Sequence, residues 1–131
     1  MIRYCLFLGS CLLAWACQTT PNRNCAPFKT GAFTSFLVVG TDTLNTKFER
    51  YSTLQLELFN GKTDTFEVRW LNDCEYVLKK RNPSNRYDAR SNHIKILVTT
   101  DSSYTFEFNV VGETKKLKGT ALKQHHVRNS Y

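Results

Sequence analysis

Five cysteines and three histidines offer the most chemistry in this chain, and their spacing restricts what that chemistry can be. Cys5, Cys11, Cys17, Cys25 and Cys74 form no CxxC pair and no cysteine–histidine spacing of the zinc type, so no metal and no cofactor are expected. His93 opens a candidate strand, where a histidine reads as an exposed or hydrogen-bonded spacer. His125 and His126 lie in a tail beyond the last periodic residue, a poor place to hold an ion. Nucleophilic hydrolysis needs a nucleophile, a base and an orienting carboxylate brought together, and no GxSxG elbow is present. Asp73 and Glu75 flank Cys74, which suits the end of a turn better than a shared proton. The chain therefore reads as a protein that is not an enzyme.

The opening stretch sets the compartment. Tyr4 to Cys17 carries no charge, follows Arg3, and gives way to the polar run Gln18 to Asn24. Fourteen residues are short of the about 20 that cross a bilayer, whereas a positive start, an apolar core and a small-residue cleavage site describe a secretory signal. The alternatives are an uncut membrane anchor and a buried helix, and the polar run argues against the second. Ala14, Trp15 and Ala16 place a small-x-small triplet before Cys17, acceptable to ordinary signal peptidase. Leu13 to Cys17 also resembles the lipobox of bacterial lipoproteins, in which the cysteine is lipidated and becomes the first mature residue. It departs from that pattern at Ala14 and Trp15, where a leucine and a small residue are usual. Leu8-Gly9-Ser10-Cys11 fits better locally but would leave a very short signal and strand LLAWA at the new terminus. Cys17 is the expected lipidation site, with residues 1–16 as signal and 17–24 as a lipid-anchored tether.

Removal of the signal takes Cys5 and Cys11 with it and leaves three cysteines. In an oxidising compartment an unpaired thiol is a liability. Lipidation of Cys17 leaves Cys25 and Cys74 to pair, closing a loop of about fifty residues worth about 4 kcal/mol by chain entropy. The alternative is two separate buried cysteines.

The elements that must position these residues follow a period of two. Phe66, Val68 and Trp70 alternate with Thr65, Glu67 and Arg69; Tyr104, Phe106, Phe108 and Val110 alternate with Thr105, Glu107 and Asn109. Half-buried antiparallel strands have this pattern. Further strands are expected at 30–39, 43–51, 53–59, 75–79, 93–99 and 115–122. Turn residues fall between them at Gly40-Thr41-Asp42, Asn60-Gly61-Lys62, Asn72-Asp73, Asp101-Ser102-Ser103 and Gly112-Glu113. Asn60-Gly61 is the strongest, because a type I′ hairpin needs positive φ at both central positions. The expected fold is all-β, an antiparallel up-and-down meander of seven or eight strands. Closing into a small lipocalin-like barrel or half-barrel would remove its open edges. Residues 25–122 form this domain, filled mostly by its own side chains, and 123–131 form a basic tail. Residues 80–91, KRNPSNRYDARS, are too long and polar for a hairpin. Asn82 before Pro83 predicts a short helix near 83–90 lying across one end of the barrel.

Charge is polarised. Residues 17–78 carry six Lys and Arg against seven Asp and Glu, whereas residues 79–131 carry eleven against four. Lys79, Lys80, Arg81, Arg86 and Arg90 around the long loop, with Lys115, Lys116 and Lys118 later, form a candidate surface for anionic lipid, acidic glycan or an acidic envelope protein. The alternative is a solvated face that aids solubility. Nucleic acid is not an expected partner: outside the cytoplasm it is scarce, and Tyr87 is the one aromatic within the loop cluster, too little for base stacking.

Cys25-Ala-Pro-Phe28-Lys29-Thr30-Gly31, Trp70-Leu71-Asn72-Asp73-Cys74-Glu75-Tyr76, Tyr104-Thr-Phe106-Glu107-Phe108, Val111-Gly112-Glu-Thr114-Lys115-Lys116 and Gly119-Thr120-Ala121 together resemble a family of short lipoproteins from Gram-negative bacteria. The resemblance spans about Cys25 to Leu122, and the imperfect lipobox departs from it. Many members carry an automatic label, DNA topoisomerase IV. Such chemistry requires a catalytic tyrosine on a DNA-gate domain, an ATPase partner and several hundred residues, so the resemblance implies an envelope protein without that activity. The expectation is a lipid-anchored, non-catalytic binding or interaction module, its contact surface the barrel mouth and the basic loop at 81–90. A structural or stress-related lipoprotein with a solid core is the alternative. Gln18 gives no acidic retention signal, which favours the outer membrane.

Overall fold

The computed structural model describes residues 21–125. Eight antiparallel strands follow one another around a closed up-and-down barrel: β1 (Gly31–Val39), β2 (Asp42–Arg50), β3 (Leu54–Phe59), β4 (Lys62–Asn72), β5 (Glu75–Lys80), β6 (Asn92–Thr99), β7 (Ser103–Val110) and β8 (Leu117–Lys123). Closure comes from β1 pairing with β8, from Phe33 opposite Lys123 to Leu37 opposite Gly119. No strand edge is left to recruit another chain. The fold is thus a full barrel rather than a half-barrel. The signal, the lipidation site Cys17 and the first half of the tether, residues 17–20, lie outside the described residues, as does the tail from His126.

Local chemistry explains the connections. Asn60 and Gly61 have φ of 48° and 76°, the left-handed pair that a two-residue turn between β3 and β4 requires. Irregular register between Trp70 and Asn72 in β4, and between Ile96 and Val98 in β6, bends two strands where the wall must curve. Gly119 on β8 has a different reason to be glycine. A Cβ there would lie 2.6 Å from the backbone oxygen of Phe36 and 2.6 Å from the Phe106 ring. Gly119→Ala is expected to cost about 1–3 kcal/mol as an overpacked wall, measurable by urea denaturation, while the exposed Gly40→Ala meets no atom and acts only through its turn.

One end of the barrel is plugged. The 3₁₀ turn Ala26–Phe28 crosses the end at which β1 begins and β2 ends, and Phe28 is buried among Phe33 and Tyr104. Cys25 is bonded to Cys74 in the β4–β5 turn, with Cα atoms 5.4 Å apart. The Lys123 ammonium donates to the Pro27 carbonyl from the other side. Asn22 and Asn24 meet Thr99 at this same end, so the chain enters the domain here.

The short helix expected near 83–90 does not form. That segment makes one helical turn, with Ala89 N donating to Asn85 O at 3.1 Å and Arg90 N to Tyr87 O at 3.1 Å. Asn85, not Asn82, caps it by accepting from Asp88 N. Asp88 is meanwhile drawn to the barrel rim by Lys80 at 3.1 Å and by Ser84 N. A single turn cannot repay helix nucleation, and fastening Asp88 to the rim fixes the segment as a loop. The element that crosses a barrel end is the 3₁₀ plug, at the opposite end.

Candidate functional site

Period-two alternation gives each strand an inner and an outer face, and β3 uses them unexpectedly. Gln55 is 2% exposed, whereas Leu58 is 45% exposed. Gln55 and Glu57 face inward and Leu54, Leu56 and Leu58 face out, because Arg50 at the end of β2, itself 1% exposed, fixes the register and needs polar neighbours.

Arg50 is the hub of the interior. Its Nε donates to Gln55 Oε1 at 2.6 Å, Nη1 to the Phe28 carbonyl at 3.0 Å, and Nη2 to the hydroxyls of Tyr76 at 2.5 Å and Tyr104 at 3.1 Å. Its guanidinium also lies over the rings of Tyr76 and Phe48, 4.2 Å and 5.0 Å from their centroids. Burial penalises the charge, yet the Tyr76 and Tyr104 oxygens outweigh it and hold the Arg50 pKa above its usual value. Burial pushes the Tyr76 hydroxyl well up, so it stays protonated. Arg50 therefore ties the plug, through Phe28, to four strands of the wall.

Above this floor the barrel is not filled. A cavity of about 200 Å³ opens toward the end opposite the plug. Leu37, Leu44, Phe106 and Phe108 form its apolar side, and Gln55, Glu57, Tyr76 and Tyr104 form its polar floor. Glu57 Oε1 accepts from Gln55 Nε2 at 2.6 Å, so Gln55 relays between Arg50 and Glu57. Burial raises the Glu57 carboxyl pKa, opposed by the Gln55 hydrogen bond and by Arg50. A wider groove of about 500 Å³ runs over the outer face of β1–β3 past Lys47, Leu56 and Leu58, but it lies open and carries no converging polar floor. The interior cavity has the form of a binding site: concave, mostly apolar, with a few convergent polar groups.

The eight basic residues read from the sequence do not form one free cationic surface. Lys80 shares the inward parity of Tyr76 and Leu78, and its ammonium is held at the rim by Asp64 at 3.2 Å and Asp88 at 3.1 Å. The Asp88 hydrogen bond raises the Lys80 pKa, and Lys80 lowers that of Asp88. Arg81 faces Glu67 at 3.8 Å, Arg90 binds Glu113 at 2.6 Å while lying over Tyr87, and Lys116 reaches Glu107 at 3.0 Å. Lys79 and Lys118 stand on outer faces opposite Glu67 and Glu107 in register. Arg86 and Lys115 are exposed in the loops of the open end. Among the described residues no group of histidine, cysteine and acidic side chains is placed to hold a metal. His93 sits on the outer wall between Glu75 at 3.0 Å and Asn109 at 3.3 Å, a hydrogen-bonded spacer.

The chain matches no family model, no curated protein and no solved structure.

Arg50, Gln55, Glu57, Tyr76 and Tyr104 are the residues that sequence reading missed. A signal was present for the first: Thr46, Phe48 and Arg50 share a parity, so a buried Phe48 carries Arg50 inside.

Proposed function

We propose that this chain is a non-catalytic binding module, tethered to the cell envelope through Cys17, that holds a small amphipathic ligand in the open end of its barrel. The observation that carries this reading is the interior cavity, apolar at its mouth and polar at its floor, in a barrel whose other end is plugged over buried Phe28, Phe33 and Arg50. A structural lipoprotein would have no use for the void, and a cavity costs stability in proportion to its volume.

The tether supports the same reading. The chain enters at the plugged end, opposite the cavity mouth and the loops at 81–91 and 111–116, which suits an anchor at residue 17 that holds the mouth away from a membrane. Arg86 and Lys115, exposed at the open end, then meet what arrives at the mouth, an acidic glycan or envelope protein rather than the lipid surface below. The resemblance to short envelope lipoproteins points to the same compartment, and nothing in the site calls for nucleic acid.

A heat-denaturation screen tests this. Small amphiphiles, fatty acids, haem and acidic glycans are each added to the full chain and to Leu44→Trp, which fills the mouth. At about a hundred times its Kd a ligand adds about 2.7 kcal/mol, a rise of several degrees. At least one compound is expected to raise the melting temperature of the native chain and not of Leu44→Trp. Equal shifts in both, or none in either, would overturn the cavity as the site.

A further inference from the structure

The chemistry of the cavity floor allows the ligand class to be named, an inference that rests on the reading of the open end as a ligand site. We propose that Glu57 is the headgroup seat and that the ligand is a small organic ammonium: a monocationic amine of about eight to ten heavy atoms in all, its body apolar.

The first ground is an unspent oxygen. Glu57 Oε1 takes the Gln55 amide hydrogen. No other described donor reaches the carboxylate. Among the described residues no buried side-chain oxygen lacks a partner, so the second Glu57 oxygen is open to the cavity and not sealed in the wall. A carboxylate with one fixed and one free oxygen in an apolar chamber is a receptor for an N–H donor, and a charged donor gives the stronger bond.

The second ground is that the neighbouring cations are already committed. The charged and polar groups around Glu57 are Arg50 from β2, Gln55 from β3, Asp64 from β4, Lys80 from β5 and, through Lys80, Asp88 from the long loop. Arg50 gives its donors to Phe28, Gln55, Tyr76 and Tyr104, and Lys80 is shared between Asp64 and Asp88. Lys62 comes to Asp64 from the solvent side at 3.7 Å. No cation lies within ion-pair distance of Glu57 among the described residues. An anionic headgroup would find no free donor fork at this floor and would stand beside a carboxylate.

The third ground is the wall. Tyr104, Phe106 and Phe108 bring aromatic rings to the cavity, which attract ammonium groups, and Leu37, Leu44, Leu78 and Ile94 complete an apolar lining for the body. The volume, about 200 Å³, exceeds the roughly 150 Å³ cavity known to take benzene. One ring or a short alkyl chain fits, and a long-chain lipid does not.

Burial raises the Glu57 pKa above the ordinary carboxyl value, whereas an aliphatic ammonium stays charged well above neutrality. Amine affinity is then expected to fall as pH drops through the Glu57 titration.

Calorimetric titration of the full chain with benzylamine, benzyl alcohol and benzoate, at about pH 8 and about pH 5, tests the assignment. Benzylamine is expected to bind saturably, about tenfold or more tighter than benzyl alcohol at the higher pH, with that margin narrower at the lower; benzoate should not bind. Glu57→Gln, which keeps an acceptor for Gln55, should bind amine and alcohol alike. The pH series on the unaltered chain keeps the test decisive if the variant does not fold. Benzyl alcohol or benzoate binding as tightly as the amine would overturn the headgroup while leaving the cavity as a site. No binding of any of the three would overturn the ammonium class, and the amphiphile screen with Leu44→Trp then decides separately whether the cavity binds at all.

Discussion

Replacing Arg50 with alanine is expected to lower the melting temperature of the domain by about 15 °C or more, the largest effect of any single substitution in this chain. The side chain is 1% exposed and satisfies Gln55, the Phe28 carbonyl and two tyrosine hydroxyls. Truncation takes the donor from all four acceptors and opens a void in the middle of an aromatic cluster. Breaking a buried charged network costs about 3–5 kcal/mol, and in a domain of this size each kcal/mol moves the midpoint by about 4–8 °C. Arg50→Lys keeps the charge but not the planar fork, and is expected to lose most of the same stability. Arg69→Ala, on the exposed face of β4, serves as the control and should stay within about 0.5 kcal/mol of the native chain. Differential scanning calorimetry of the three variants measures this. An Arg50→Ala midpoint close to that of Arg69→Ala would mean that the polar hub is incidental to the fold.

Loss of the Cys25–Cys74 bond is the second large effect. The two residues are 49 apart in sequence, and by chain entropy a loop of that length contributes about 4 kcal/mol. The bond also holds the plug. Without it, Phe28 and its carbonyl on Arg50 remain fastened by Lys123 on Pro27 and by the contacts of residues 22–24 with Thr99. Reduction, or the double change Cys25→Ser with Cys74→Ser, is therefore expected to lower the melting temperature by about 15 °C or more while leaving the barrel folded at room temperature. Intact mass before and after reduction and alkylation checks the chemistry. Two thiols should appear only on reduction, in a chain that begins at Cys17 and carries added lipid when taken from its own envelope. Free thiols without reduction would contradict the bond, and a full-length unlipidated chain would contradict the tether.

Much of the wall was legible because its information is local. Phe66, Val68 and Trp70 in β4, and Tyr104, Phe106 and Phe108 in β7, alternate so regularly that strand and inner face follow together. Asn60-Gly61 carries its turn in its own backbone preference. The pairing of Cys25 with Cys74 followed from counting thiols, with only the separate-cysteine alternative to set aside. The site was less legible because period two says that residues alternate and not which set faces in. In LQLELF the leucines invite the inner face, yet Gln55 and Glu57 take it, because Arg50 is inside and needs them. That requirement is set by residues from four strands and the plug, which no short window contains. The helix expected near 83–90 failed for a related reason: Asp88 is bound to Lys80 across the rim, a contact stronger than the local helical preference after Asn82-Pro83. Lys80 could have been separated from the basic cluster by parity, since Tyr76 and Leu78 point inward and it follows them.

If the open end of the barrel takes a ligand, methyl-resolved NMR of the full chain reads it, in titrations with benzylamine and with each compound of the heat-denaturation screen. With at least one compound, saturable shifts are expected at Leu37, Leu44, Leu78 and Ile94, which line the cavity, with Leu56 and Leu58 on the outer groove unchanged. Shifts confined to Leu56 and Leu58, or no saturable shift at the inner four with any compound, would contradict a ligand site there.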